Sequence, residues 1–173
     1  GGHDPYSRSK GCAELVTSAF RSSYFFGAND PALASVRAGN VIGGGDWSQD
    51  RLIPDIVRAL VKRETLVIRH PGAIRPWQHV LEPLSGYLML AEKMFCEKQP
   101  WSGAWNFGPN DFDVKPVSWI VDRMIMCWES DLCCEFGNND LHEAHYLKLD
   151  ISKAKQLMRW EPRWNIEQAV DKI

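Results

Sequence analysis

The sequence predicts an α/β protein, and three observations carry that expectation. Apolar segments with helical and with strand-like periodicity alternate along the chain, the helical segments open on recognisable caps, and the strand-like ones stop at glycine or proline. Asp4 followed by Pro5 supplies an N-cap oxygen and a proline at the first helical position, so a helix is expected over 5–24. Its apolar face carries Cys12, Leu15, Val16, Ala19 and Phe20. Asn29-Asp30-Pro31 marks a turn, Leu33 to Arg37 reads as a short buried strand, and a loop follows from Gly39 to Asp50. A second helix is expected over 53–62, where Ile56, Val57, Leu60 and Val61 recur at helical spacing.

Leu66 to Ile68 and Trp77 to Val80 read as strands, separated by the turn at Pro71-Gly72. Leu84 to Phe95 is a long amphipathic helix, and Ala104 to Phe107 a strand stopped by Gly108-Pro109. A helix over 117–128, a strand over 146–149, a capped helix over 153–158 and a last helix from Ile166 complete the alternation.

The 173 residues suffice for one domain or the larger part of one. Hydrophobic content of 45% with 24% charged residues is that of a globular protein. A net charge of -2 excludes a bulk attraction to nucleic acid or anionic membrane, so any anion must be met by local arginines. The five cysteines lack paired Cys-x-x-Cys spacing and read as free, buried thiols of a reducing cytoplasm. No apolar run is long enough to span a bilayer. His142-Glu143-Ala144-His145 does not make a zinc helix, because its histidines are three rather than four apart; no metal is expected.

One pair carries chemistry. Tyr6 and Lys10 stand one helical turn apart on one face. A phenol titrates near pH 10, and a neighbouring ammonium stabilises the phenolate and moves it toward the range of a working base. A glycine-rich turn between a first strand and helix, which a dinucleotide-binding half requires, is absent; Gly43-Gly44-Gly45 leads into Asp46 and Trp47 rather than a helix. The chain opens inside a motif and reads as part of a longer protein whose cofactor-binding half lies upstream.

Asp4-Pro5-Tyr6-Ser7-Arg8-Ser9-Lys10 resembles the P-Y-x-x-S-K element of the extended short-chain dehydrogenases/reductases. In matching order come Arg37-Ala38-Gly39-Asn40-Val41-Ile42-Gly43, Arg51-Leu52-Ile53-Pro54, Ile74-Arg75-Pro76-Trp77 and Trp105-Asn106-Phe107-Gly108. Three longer stretches, 37–47, 75–84 and 142–150, resemble the members of that family that dehydrate CDP-glucose.

The resemblance implies a fold consisting of the C-terminal part of such an enzyme. Residues 1–42 would complete the Rossmann-like NAD domain, and 43–173 would form mainly a small α/β substrate-binding domain with segments returning to the sheet. It implies NAD as cofactor, CDP-glucose or a related sugar nucleotide as partner, and a homodimer through the helices near 6–24 and 84–95. Tyr6 would take the C4 hydroxyl proton, and Lys10 would lower its pKa and hold the nicotinamide ribose. Val41 would touch the cofactor, and Asn40 and Arg75 would hold the diphosphate. Arg51 and Leu52 would lie against the nucleotide, Asn106 near its phosphate or ribose, and His79 and Arg69 toward the cytidine. A 4-epimerase of the same family and a non-catalytic sugar-nucleotide-binding domain remain open alternatives. Arg37, on a strand, reads as an ion-pair partner, and the eight tryptophans mostly as packing.

Overall fold

The computed structural model describes residues 4–137 and 146–173. The chain divides into two compact units, one of Gly1–Arg37, Leu84–Phe107 and Ile151–Glu161, the other of Ala38–Pro83, Gly108–Asp150 and Pro162–Ile173. The alternating α/β class expected from the sequence is the one observed.

In the first unit, helix α1 (Pro5–Tyr24) begins where the Asp-Pro signal places it. The Asp4 carboxylate accepts the Ser7 backbone N–H at 2.9 Å and the Ser7 hydroxyl at 2.6 Å, satisfying an amide the first turn would leave orphaned. These bonds from Ser7 hold the Asp4 carboxyl below its usual range. Strand β1 (Ala34–Ala38) pairs with β6 (Gly103–Phe107). Glu14 of α1 ties the helix to β1 by accepting from Ser35 Oγ at 2.8 Å and from Arg37 Nε at 2.7 Å.

The core of this unit is aromatic. Phe107 stands edge-on to Trp160, with ring centroids 5.0 Å apart, and to Tyr87 at 5.4 Å. Gly86, on helix α3 (Leu81–Glu97), gives the Phe107 ring its space: a Cβ there would fall 2.2 Å from Phe107 Cδ1. Trp101 and Trp105 stack at 5.7 Å, with Lys93 Nζ 4.4 Å over the first ring and Lys153 Nζ 3.9 Å over the second. Each ammonium lies within cation–π reach of one of the two stacked indoles. A single π turn (Ala154–Met158) buries Ala154 and Met158 on the same side.

The apolar stripe of α1 does not enter this core. No residue of α1 is buried; Leu15 is 72% and Phe20 52% exposed. On α3, Leu88 and Phe95 are likewise exposed, at 73% and 86%. The periodicity therefore identified a helix and an apolar face, but this chain does not cover that face.

In the second unit, β2 (Asn40–Ile42) runs parallel to β5 (Trp77–His79), pairing Asn40 with Trp77 and Ile42 with His79. Residues 40–42 were expected as loop. The backbones approach so closely that a Cβ on Gly39 would lie 2.2 Å from the Pro76 carbonyl oxygen, which Asn40 N–H reaches at 2.9 Å. A strand of three residues is set by that pairing, not by its own pattern.

Strand β3 (Leu66–Ile68) runs parallel to β8 (Cys134–Phe136), a strand the sequence did not suggest, and β4 (Ile74–Arg75) pairs antiparallel with β7 (Lys115–Pro116). The strand expected over 146–149 reduces to a single bridge from Tyr146 to Ile74. Helices α2 (Leu52–Lys62), α4 (Val117–Cys127) and α5 (Ile166–Asp171) close over Ile42, Ile53, Ile56, Leu60, Trp77, Ile120, Val121 and Val170 as one hydrophobic core.

The thiols depart from expectation. All five are free, but Cys12, Cys96, Cys127 and Cys133 are exposed, and only Cys134 is half-buried. Among the tryptophans, Trp47 and Trp128 are exposed rather than packed. No described helix is long and apolar enough to cross a membrane.

Candidate functional site

The expected site residues fall into two groups, one in each compact unit. In the first, Tyr6 occupies the opening turn of α1 at 70% exposure, with Lys10 Nζ 5.0 Å from its ring centroid. The helix thus delivers the phenol and the ammonium to one face, next to a capped N-terminus that fixes the turn. Asn106 sits on β6, where its Oδ1 accepts from Arg37 Nη1 at 3.3 Å. Arg37 in turn is held by Glu14, whose carboxyl the Arg37 hydrogen bond keeps below the usual carboxylate range. The ion-pair role expected for Arg37 is the observed one. Its partner lay 23 positions away and had no local signal.

In the second unit, Asn40 and Val41 alternate on β2: Asn40 is half-buried and Val41 is 42% exposed. Arg51 occupies the N-cap of α2 without a side-chain cap bond, an unfavourable place for a cation on dipole grounds, and Leu52 packs against the core. Arg69 pairs with Asp50 at 2.9 Å, both exposed. Arg75 is only 7% exposed, and its Nη1 donates to the Ile74 carbonyl at 2.9 Å, so it is no ordinary surface arginine.

His79 is buried to the same degree. Its Nδ1 accepts the Leu81 N–H at 3.2 Å, which assigns the proton of the neutral ring to Nε2. Its ring meets Trp164 edge-on with centroids 4.9 Å apart. Burial pushes the imidazole pKa down, and the neighbouring Glu82 carboxylate opposes that shift.

Sequence reasoning missed the residues that hold these in place. Glu82, 4% exposed, accepts the backbone N–H groups of Arg163 and Trp164. Asp113 accepts the Ile166 N–H at 3.2 Å at the start of α5, and burial raises its carboxyl pKa. Arg58 donates to the carbonyls of Trp47 and Ser48. An acidic residue three positions after a histidine was the available signal for Glu82; nothing local announced the others.

A cavity of about 680 Å³ lies elsewhere in this unit, lined by Leu60, Arg63, Glu64, Trp128, Asp131 and Cys133 among others, and contains none of the expected site residues. No group of potential metal ligands occurs among the described residues; His142, Glu143 and His145 lie outside them.

The fold has counterparts among solved structures. The chain superimposes on dTDP-glucose 4,6-dehydratase of Bacillus anthracis, solved in complex with NAD, with a TM-score of 0.80 at 21% identity, covering 99% of this chain and 51% of that one. It also superimposes on UDP-glucuronic acid 4-epimerase of Bacillus cereus with a TM-score of 0.83 at 16% identity, covering 98% of this chain and 51% of that one. No protein-family model matches the chain. The chain shares the fold of these two sugar-nucleotide enzymes.

Its sequence is 56% identical, over the whole of its length, to half of the CDP-glucose 4,6-dehydratase of Salmonella typhimurium. UDP-glucuronic acid decarboxylase 2 of Arabidopsis thaliana is 27% identical over 95% of this chain and 35% of its own length. The chain thus spans half or less of the curated relatives it matches.

Proposed function

We propose that the chain supplies the tyrosine–lysine pair and the sugar-nucleotide-binding wall of an NAD-dependent CDP-glucose 4,6-dehydratase. The observation that carries this reading is 56% identity to the Salmonella dehydratase over the entire chain, with Tyr6 and Lys10 paired on one helical face. The product is CDP-4-dehydro-6-deoxyglucose. The first unit is read as the part that joins the cofactor domain, and the second as the substrate-binding domain.

The residues present fit the cofactor. Lys10 stands one turn from an accessible phenol, and its ammonium can donate to a ribose hydroxyl. NAD, when bound, supplies the acceptor and later the donor of the hydride that passes between C4 and C6 of the hexose. Tyr6 takes the proton of the C4 hydroxyl, without which C4 cannot become a ketone and the C5 proton stays too weakly acidic for water to leave. Arg75 and Asn40 hold the diphosphate, Arg75 through a guanidinium fork that can bond two oxygens at once. Arg51 and Leu52 flank the nucleotide, and Asn106, oriented by Arg37, reaches its ribose or phosphate. The uncovered apolar residues of α1 and α3 support a homodimer through those helices.

The test is turnover of CDP-glucose by the full-length protein, followed by the appearance of a 4-keto sugar. A protein that binds CDP-glucose with NAD present and releases an epimerised, undehydrated sugar would move the reading to a 4-epimerase.

A further inference from the structure

The loop between β2 and α2 presents one large side chain that the reading above leaves without a task. Trp47 is 68% exposed, whereas Trp77, Trp105 and Trp160 are 6%, 1% and 2% exposed. An isolated exposed aromatic means little. This one differs because the backbone that carries it is pinned. Arg58, reaching from α2, donates to the Trp47 carbonyl at 3.1 Å and to the Ser48 carbonyl at 3.0 Å, and pairs with Asp55. The Asp46 carboxylate closes the turn by accepting the Ser48 N–H at 3.0 Å, and Gly45 supplies the positive φ of 78° that the bend needs.

The charges of the loop are matched to one another. Arg69 pairs with Asp50, and Arg58 with Asp55. Ser48 first, then Arg51 and Arg58, hold the Asp46 carboxyl low. A ligand reaching the loop therefore meets an exposed, uncharged indole carried on a pinned backbone.

We propose that Trp47 is a stacking platform for the nucleobase of the bound sugar nucleotide; this rests on the sugar-nucleotide reading of the second unit. The base is the part of such a ligand that presents a flat, uncharged π-face. A hexose presents hydroxyls that need hydrogen-bond partners, whereas Asp46, Asp50 and Asp55 here already hold Ser48, Arg69 and Arg58. Trp47 stands four positions before Arg51, at most about 14 Å of extended chain, so both fall within the span of one nucleotide that Arg51 flanks. Stacking accepts any base, so Trp47 supplies affinity for the base without choosing it.

The test uses full-length protein titrated with CDP, CDP-glucose and glucose 1-phosphate, read by calorimetry and by quenching of tryptophan emission. Trp47→Ala is expected to weaken CDP and CDP-glucose about tenfold or more, with glucose 1-phosphate and the thermal midpoint unchanged. Trp47→Phe keeps a π-face and is expected to stay within about threefold of the parent while losing part of the quench. Unchanged CDP affinity in Trp47→Ala, in a protein whose Arg75→Ala variant loses CDP-glucose, overturns the stacking role alone. A Trp47→Ala variant that lowers the thermal midpoint without touching affinity also overturns it, assigning the indole to packing. Failure of the unsubstituted protein to bind CDP-glucose overturns the underlying reading as well.

Discussion

The carboxylate of Glu82 accepts the backbone N–H of Trp164 at 3.0 Å and that of Arg163 at 2.9 Å, holding the Trp164 ring edge-on to His79. One buried side chain thereby satisfies two amides in the turn before α5, 81 and 82 residues further along the chain. Glu82→Gln keeps the size but gives up one acceptor, leaving a half-buried N–H unpaired. It is expected to cost about 1–3 kcal/mol in equilibrium urea unfolding. A loss below a few tenths of a kcal/mol would mean that water replaces the carboxylate.

His79 titrates in a direction that links stability to pH. Burial lowers its folded pKa below the reference value of 6.5, so the fold prefers the neutral ring. That contribution is fully present above the unfolded pKa and is lost as pH falls through the folded one. Acidification from pH 7 should therefore lower the thermal midpoint of the parent more than that of His79→Gln. Parallel midpoint curves for the two proteins would remove His79 as the source.

Two glycines on helices should respond in opposite senses. A Cβ on Gly11 meets nothing within 4 Å, so Gly11→Ala should stabilise by about 0.5–1 kcal/mol through the helix preference of alanine. A Cβ on Gly86 would lie 2.2 Å from the Phe107 ring, and Gly86→Ala should destabilise by about 1–3 kcal/mol. Chemical denaturation of both variants checks the contrast, and a stabilised Gly86→Ala would refute the packing described for Phe107.

Tyr6→Phe in the full-length enzyme should reduce kcat by about 10²–10⁴ with little change in the KM for CDP-glucose, because the ring stays and the proton acceptor goes. Steady-state kinetics decide it; a near-normal kcat would transfer the base to another group.

Arg75→Ala should weaken CDP-glucose binding by about 2–4 kcal/mol, with Arg75→Lys recovering part of it. Because Arg75 is only 7% exposed, the alanine variant should also unfold at lower temperature, which a surface arginine would not do. Calorimetric titration with CDP-glucose beside a thermal melt separates the two effects.

The sequence alone determined what depends on neighbours along the chain. Asp4-Pro5 placed the start of α1, and helical spacing placed Lys10 beside Tyr6. Runs such as Leu66 to Ile68 revealed strands whose side chains are enriched for a pleated, buried setting. Tertiary structure decided what depends on partners far away. Asn40 to Ile42 is a strand because Trp77 to His79 lies beside it, and Cys134 to Phe136 because Leu66 to Ile68 does. Burial, too, was decided by tertiary structure: the stripe of α1 looks like a core face yet stays open, while Arg75, His79 and Glu82, polar by composition, are buried. Hydrophobic periodicity reports the local cost of exposing a face to water, whereas burial depends on whether another segment arrives to cover it, and that is a property of the whole fold.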